Sequence, residues 1–121
     1  MWEYVFAAFL VAHGLVHLAV WLAPATDDAP LRAEHSGVLG SGDTPHRVSV
    51  ALAAGAAAVF VASGVALLVG ASVWVPLAAT GAAIGLTMSL LFFNPWLIVD
   101  VGINAGLLYA LLATGWADTL V

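Results

Sequence analysis

Residues 3–22 read EYVFAAFLVAHGLVHLAVWL. After Glu3 the stretch carries no carboxylate, lysine or arginine. A helix of about 20 such residues is about 30 Å long, which matches the hydrocarbon core of a bilayer. Three further segments pass the same test: Val48–Val69, Val73–Phe93 and Trp96–Trp116. Alanine, leucine and glycine dominate them and apolar–polar alternation is missing, so the pattern predicts helices and not strands.

Composition points the same way. Hydrophobic residues make up 64% of the 121-residue chain and charged residues 7%. A soluble domain carries about 25% charged residues, and a small one needs them to cover a large surface. The expected fold is therefore all-α: a polytopic membrane protein in which residues 1–121 form one antiparallel bundle of four transmembrane helices. Consecutive helices two, three and four are joined by short turns. A long loop, Ala23–Arg47, separates the first helix from the second.

Local signals support this division. Trp2, Trp21, Trp74, Trp96 and Trp116 all fall at expected helix ends, where an indole can keep its ring in lipid and its N–H in water. Thr44-Pro45 and Asn94-Pro95 read as N-caps followed by a first-turn proline. Gly70 and Gly115 stand where helix C-caps belong, and Pro76 falls in the first turn of helix three. The N-terminus lacks the positive region of a secretory signal, so helix one is expected to be retained. Leu31, Val38 and Leu39 could fold part of the long loop back onto the helices. Gly81-x-x-x-Gly85 and Gly102-x-x-x-Gly106, with Ala51, Gly55 and Ala58 in helix two, offer small-residue faces. Such faces suit close helix packing inside the chain, and also a homo-oligomer or a larger membrane complex.

Charge excludes several partners. The net charge is −5, lysine is absent and the only arginines are Arg32 and Arg47. Neither a nucleic-acid patch nor a polybasic lipid-binding patch is present, which leaves the bilayer itself as the expected partner. Both arginines lie in the long loop, so the positive-inside rule puts that loop in the cytoplasm and both termini outside, in a multi-pass cell-membrane protein. Cysteine is absent, which removes disulfides, thiolate metal sites and cysteine redox chemistry.

Against this background the polar residues within the spans stand out. An ionisable side chain at the bilayer centre costs about 2.5–3.5 kcal/mol on insertion scales, and such residues normally face the bundle interior with a partner. His13, His17 and Asp100 qualify, with Asn104 as a neutral fourth. His13 and His17 are four residues apart and share one helix face, as do Asp100 and Asn104. Counted from the long-loop end, His17 and Asp100 both lie roughly 6–8 Å deep. His13 and Asn104 lie about one turn deeper. Adjacent helices one and four would therefore match His17 with Asp100 and His13 with Asn104. Gly14 leaves room for a neighbour beside His13. His46, at the start of helix two, sits at the same end, below His35, Glu34 and Asp43 of the loop. Ser63, Thr80, Thr87 and Ser89 read as bonding to their own helix backbones.

Three chemistries fit this cluster. Hydrogen bonds could simply lock helices one and four together. Two histidines at i, i+4 could hold a metal ion from one helix face, with His46, Asp100 or a loop carboxylate as a further ligand. Zinc, copper, nickel or iron suit a donor set of nitrogen and oxygen without sulfur. A histidine beside a carboxylate could also serve a proton, or a small ligand such as a quinone or a transported solute. Bis-histidine haem fits poorly, because it needs histidines on opposite sides of the porphyrin from different elements; single-histidine ligation stays open. No phosphate loop, Ser-His-Asp order or HExxH motif is present, so the sequence leaves open whether the protein is an enzyme.

Ala12-His13-Gly14-Leu15-Val16-His17-Leu18 followed by a long loop resembles a group of small prokaryotic four-helix membrane proteins with a His-Gly-x-x-His-Leu first helix. Their last helix has an apolar stretch around one asparagine, which Val101–Leu108 around Asn104 matches. There is a looser similarity to DoxX-like four-helix proteins, some of which are quinone-linked oxidoreductase subunits. The resemblance implies the fold and assigns no catalytic residue. Quinone reductases of the vitamin K epoxide type, also four-helix cores, are excluded by the missing cysteines. The expected function is a membrane protein with a polar site of His13, His17, Asp100 and Asn104, with His46 as an outer member, for a metal ion, proton or small ligand. The alternative is a non-catalytic accessory subunit whose polar residues only lock helices one and four.

Overall fold

The computed structural model describes residues 1–24 and 32–120. Asp27, Asp28 and Leu31 of the long loop lie outside the described residues. Apart from turns and a hairpin of two two-residue strands, the described residues are helical. Helix α1 is Trp2–Leu22, α2 Asp43–Leu68, α3 Trp74–Leu91 and α4 Ile98–Ala113, the last led in by a 3-10 turn over Pro95–Leu97. All four, α4 together with its lead-in turn, are long and apolar enough to cross a membrane. Strands β1 (His35–Ser36) and β2 (Gly40–Ser41) pair antiparallel within the loop.

The ends follow from capping chemistry. Gly70, at φ +70°, ends α2. Its N–H donates to the Leu67 carbonyl and the Ala71 N–H to the Ala66 carbonyl, which satisfies carbonyls the helix leaves open. Asn94 Oδ1 accepts from the Trp96 N–H and caps the turn that leads into α4. One expectation shifts. Helix α2 starts at Asp43 with Gly42 as its N-cap, so Thr44 lies inside the first turn and is not the cap. Pro45 is still close enough to the start that its missing N–H costs little.

Each helix packs on its successor in sequence, whereas α1 and α4 approach closely only at isolated points. Backbones are brought together by glycines facing larger groups. A Cβ on Gly14 would lie 2.8 Å from the Phe60 Cβ, and one on Gly64 would lie 2.9 Å from the Ala7 carbonyl, so α1 and α2 cross at contact distance. Gly81 receives the ring of Phe60 on α3. Intramolecular packing thus holds for Gly81 and Gly85. Gly55, Gly102 and Gly106 have no such neighbour within 4 Å. The packing face of α2 is instead Ala53, Ala57, Phe60 and Gly64.

Two apolar clusters result. One gathers Ala7, Leu10, Phe60, Trp74, Ala78, Leu107 and Leu111. The other gathers Trp21, Ala33, Ala53, Met88, Phe92 and Leu97 at the loop end. The tryptophans accordingly divide. Trp2 and Trp96 are exposed, as expected of interfacial indoles, but Trp21 and Trp74 are core residues. The loop is held by Ser36, whose hydroxyl donates to the Leu91 carbonyl at 2.5 Å, and by buried Ala33. Val38 and Leu39 remain exposed.

Candidate functional site

Between the two apolar clusters lies a polar layer. His13 and His17 enter it because they continue the buried face of α1, which runs Ala7, Leu10, His13, Gly14, His17 and Trp21 at helical spacing. Asn104 does the same on α4 with Leu107 and Leu111. All three polar side chains are buried. Asp100 is half-buried, with its carboxylate partly open.

The hydrogen bonds determine which ring nitrogens carry protons. His17 Nδ1–H donates to the His13 carbonyl at 2.9 Å. A carbonyl oxygen only accepts, so in the neutral ring Nε2 is left with its lone pair. Asn104 Nδ2 donates to the Asp100 carbonyl at 3.0 Å. This turns Asn104 Oδ1 towards His13, whose Nε2–H donates to it at 3.2 Å. The Ser89 hydroxyl donates to Asp100 Oδ2 at 2.5 Å. The other carboxylate oxygen, Oδ1, then stands 3.7 Å from His17 Nε2 and 4.0 Å from His13 Nε2.

His17 Nε2 has no hydrogen-bond partner, although His17 is 2% exposed. In the neutral ring, a buried acceptor lone pair therefore faces a carboxylate oxygen. His13, His17 and Asp100 each offer one donor atom, and these atoms lie within 4.8 Å of one another. His13 and His17 thus come together with Asp100 and Asn104. His46 does not join them; it is exposed at the start of α2, and its carbonyl accepts from Ser49.

Three residues that frame the site were not singled out for it in the sequence. Ser89 was expected to bond to its own helix, as Thr80 and Thr87 do, but it bonds across to Asp100. The signal was present: Ser89 and Asp100 are 11 residues apart on either side of the Asn94-Pro95 turn, which places them at similar depth. Gly85 supplies the room, since a Cβ there would lie 2.8 Å from both His17 Nε2 and Asn104 Oδ1. Phe60 forms a wall, its ring centroid 4.9 Å from that of His13 and 5.8 Å from that of His17.

The site opens to one side. A cleft of about 450 Å³ between α1 and α4 has His13, His17 and Asp100 at its inner end and Val16, Val20, Trp96 and Val99 along its walls. At the loop end, buried Trp21, Met88, Phe92 and Leu97 pack beside the layer, and Ala23 and Pro24 also line the cleft there. A second, wider groove continues between α1 and α4 past Phe9, Gly102 and Gly106. Helices α1 and α4 therefore face each other across a seam that polar side chains bridge, with His13 meeting Asn104 and His17 meeting Asp100 as the depth matching expected. The chain matches no protein-family model, no curated protein and no solved structure.

Proposed function

We propose that this chain is an integral membrane protein that holds a cation within the membrane at His13, His17 and Asp100, and that a divalent transition-metal ion is the occupant the geometry suits best. In this reading the four helices form an antiparallel transmembrane bundle. The long loop, with Arg32 and Arg47, lies on the cytoplasmic side and both termini lie outside. The relationship to the four-helix proteins with a His-Gly-x-x-His-Leu first helix is part of the same proposal.

The observation that carries it is the unpartnered His17 Nε2 facing Asp100 Oδ1. With His17 neutral, two acceptors point at each other and repel unless a proton or another cation lies between them, and burial strengthens the effect. The separations of 3.7 and 4.0 Å exceed a direct hydrogen bond. They come near the roughly 3.3 Å between ligand atoms of a tetrahedral ion with bonds of about 2.0–2.1 Å. Coordination by His13 through Nε2 requires its proton to move to Nδ1, with Asn104 giving up the bond it now accepts. Ser89 would orient the carboxylate, as outer-shell partners of metal ligands do.

The test is zinc content per chain in protein purified into nanodiscs, beside a His13→Ala/His17→Ala variant that still folds. One ion per chain that is lost in the variant supports the proposal. Absence of bound zinc, copper, nickel and iron after loading would reject the metal occupant.

The structural alternative rests on the His13–Asn104 bond, which ties α1 to α4 across the seam. If locking is the whole role, Asn104→Leu lowers stability by about 0.6–1.7 kcal/mol, the range for interhelical bonds of this kind, and no ion is found in either protein.

A further inference from the structure

Protonation and access together say more about the occupant. In the observed hydrogen-bond pattern His13 Nε2–H is committed to Asn104, and Asp100 Oδ2 is committed to Ser89. What remains free at the inner end of the cleft is a lone pair on His17 and a carboxylate oxygen on Asp100, 3.7 Å apart. With His17 neutral both are acceptors and one is anionic, so a cation with several N–H donors can satisfy the two together. The walls are apolar or aromatic: Val16, Val20, Val99 and Trp96. The cleft volume of about 450 Å³ lies within the range of small-molecule sites. The cleft runs between α1 and α4, with Ala23 and Pro24 lining it at the loop end.

We propose that the cleft binds a primary ammonium amphiphile, its –NH3⁺ head donating to Asp100 Oδ1 and His17 Nε2 and its apolar body lying between α1 and α4. This rests on the cation-site reading and names a second class of occupant for it. An ammonium supplies three donors and one positive charge, which meets both acceptors without the proton shift on His13 that a metal ion needs. Such a head could belong to a free long-chain amine or to an ethanolamine lipid.

Native mass spectrometry of the full chain released from phosphatidylcholine nanodiscs tests this, with dodecylamine as the probe. The expected result is one dodecylamine per chain. Retention should fall at least about ten-fold in Asp100→Asn, which keeps the Ser89 bond but removes the charge. It should fall similarly in Val16→Phe/Val99→Phe, which fills the cleft from exposed wall positions. Dodecyltrimethylammonium, which has the charge and no N–H donor, should not be retained. Equal retention of the trimethyl compound, or indifference to both variants, overturns the proposal. Nanodiscs of phosphatidylethanolamine without added amine distinguish the sources: a retained lipid lost in Asp100→Asn identifies the head as the lipid's own. Zinc content measured in parallel separates the two readings. Zinc without amine retention refutes this inference alone, amine without zinc refutes the metal occupant alone, and neither refutes both.

Discussion

His17 Nε2 and Asp100 Oδ1 stand 3.7 Å apart, a buried ring nitrogen without a hydrogen-bond partner opposite a partly open carboxylate oxygen. Neither atom came to this position alone. The His13 carbonyl takes the His17 Nδ1 proton, and the Ser89 hydroxyl holds the other carboxylate oxygen. Each bond turns an unsatisfied acceptor towards the same point. Leaving a buried polar atom such as His17 Nε2 unpaired costs about 1–3 kcal/mol, which is the physical reason to expect an occupant.

Gly85 should be the glycine whose substitution most disturbs the polar layer. Its added Cβ would fall 2.8 Å from His17 Nε2 and from Asn104 Oδ1, so Gly85→Ala must push the polar layer apart. Zinc affinity should drop by about ten-fold or more, as when the surroundings of a metal ligand are disturbed. Gly106→Ala meets nothing within 4 Å and should leave affinity and thermal stability unchanged. Equal effects of the two substitutions would show that the close approach at Gly85 is unimportant.

Ser89→Ala removes one hydrogen bond and no ligand. Asp100 then loses the contact that orients it, and zinc affinity should fall about 10–100-fold, typical of outer-shell partners. Ser89→Thr, which keeps a hydroxyl, should restore most of it. Competition titration against a chromophoric chelator reads both. Unchanged affinity in the alanine variant would assign Ser89 to helix packing only.

Acid should release the ion. Coordination needs neutral imidazoles and an ionised carboxylate, so protons compete with the metal and affinity falls as pH falls. By the same balance, zinc uptake by the apo protein should release protons, measurable with a pH indicator in weakly buffered solution. Uptake without proton release at any pH would mean that the ion sits elsewhere.

The absence of cysteine makes topology directly testable. Single cysteines at Gly37 in the loop and at Ser72 in the turn between α2 and α3 occupy exposed positions. In intact cells an impermeant maleimide should label Ser72→Cys and spare Gly37→Cys until the membrane is opened. The reverse pattern would invert the orientation that two arginines suggest, and labelling of both positions from outside would contradict the spanning arrangement itself.

Much of this molecule was legible in its sequence because apolar runs long enough to cross a membrane mark the four helices by length alone. The four helices fall where hydropathy put them, within a few residues except at the start of α2. That helix begins at Asp43 because Gly42, at φ +112°, supplies the reversal that Thr44 was expected to provide as a cap. Trp21 and Trp74 could not be read correctly, since a helix-end position is compatible with both an interface and a core. Ser89 was misassigned for a related reason. A hydroxyl can bond back to its own helix or outwards, and only the neighbour that arrives decides which.

The sequence by itself determined the helices, the long loop, the absence of thiol and basic-patch chemistry, and the pairing by depth of His17 with Asp100 and His13 with Asn104. These follow from periodicity, composition and the rise of a helix, which are local properties. Only the tertiary structure decided that α1 and α4 stand apart around a cleft, that Gly85 and Phe60 shape the polar layer, that His46 lies outside it, and which ring nitrogens face Asp100. Those outcomes depend on which helix faces meet and where each hydrogen bond ends, and no single segment carries that information.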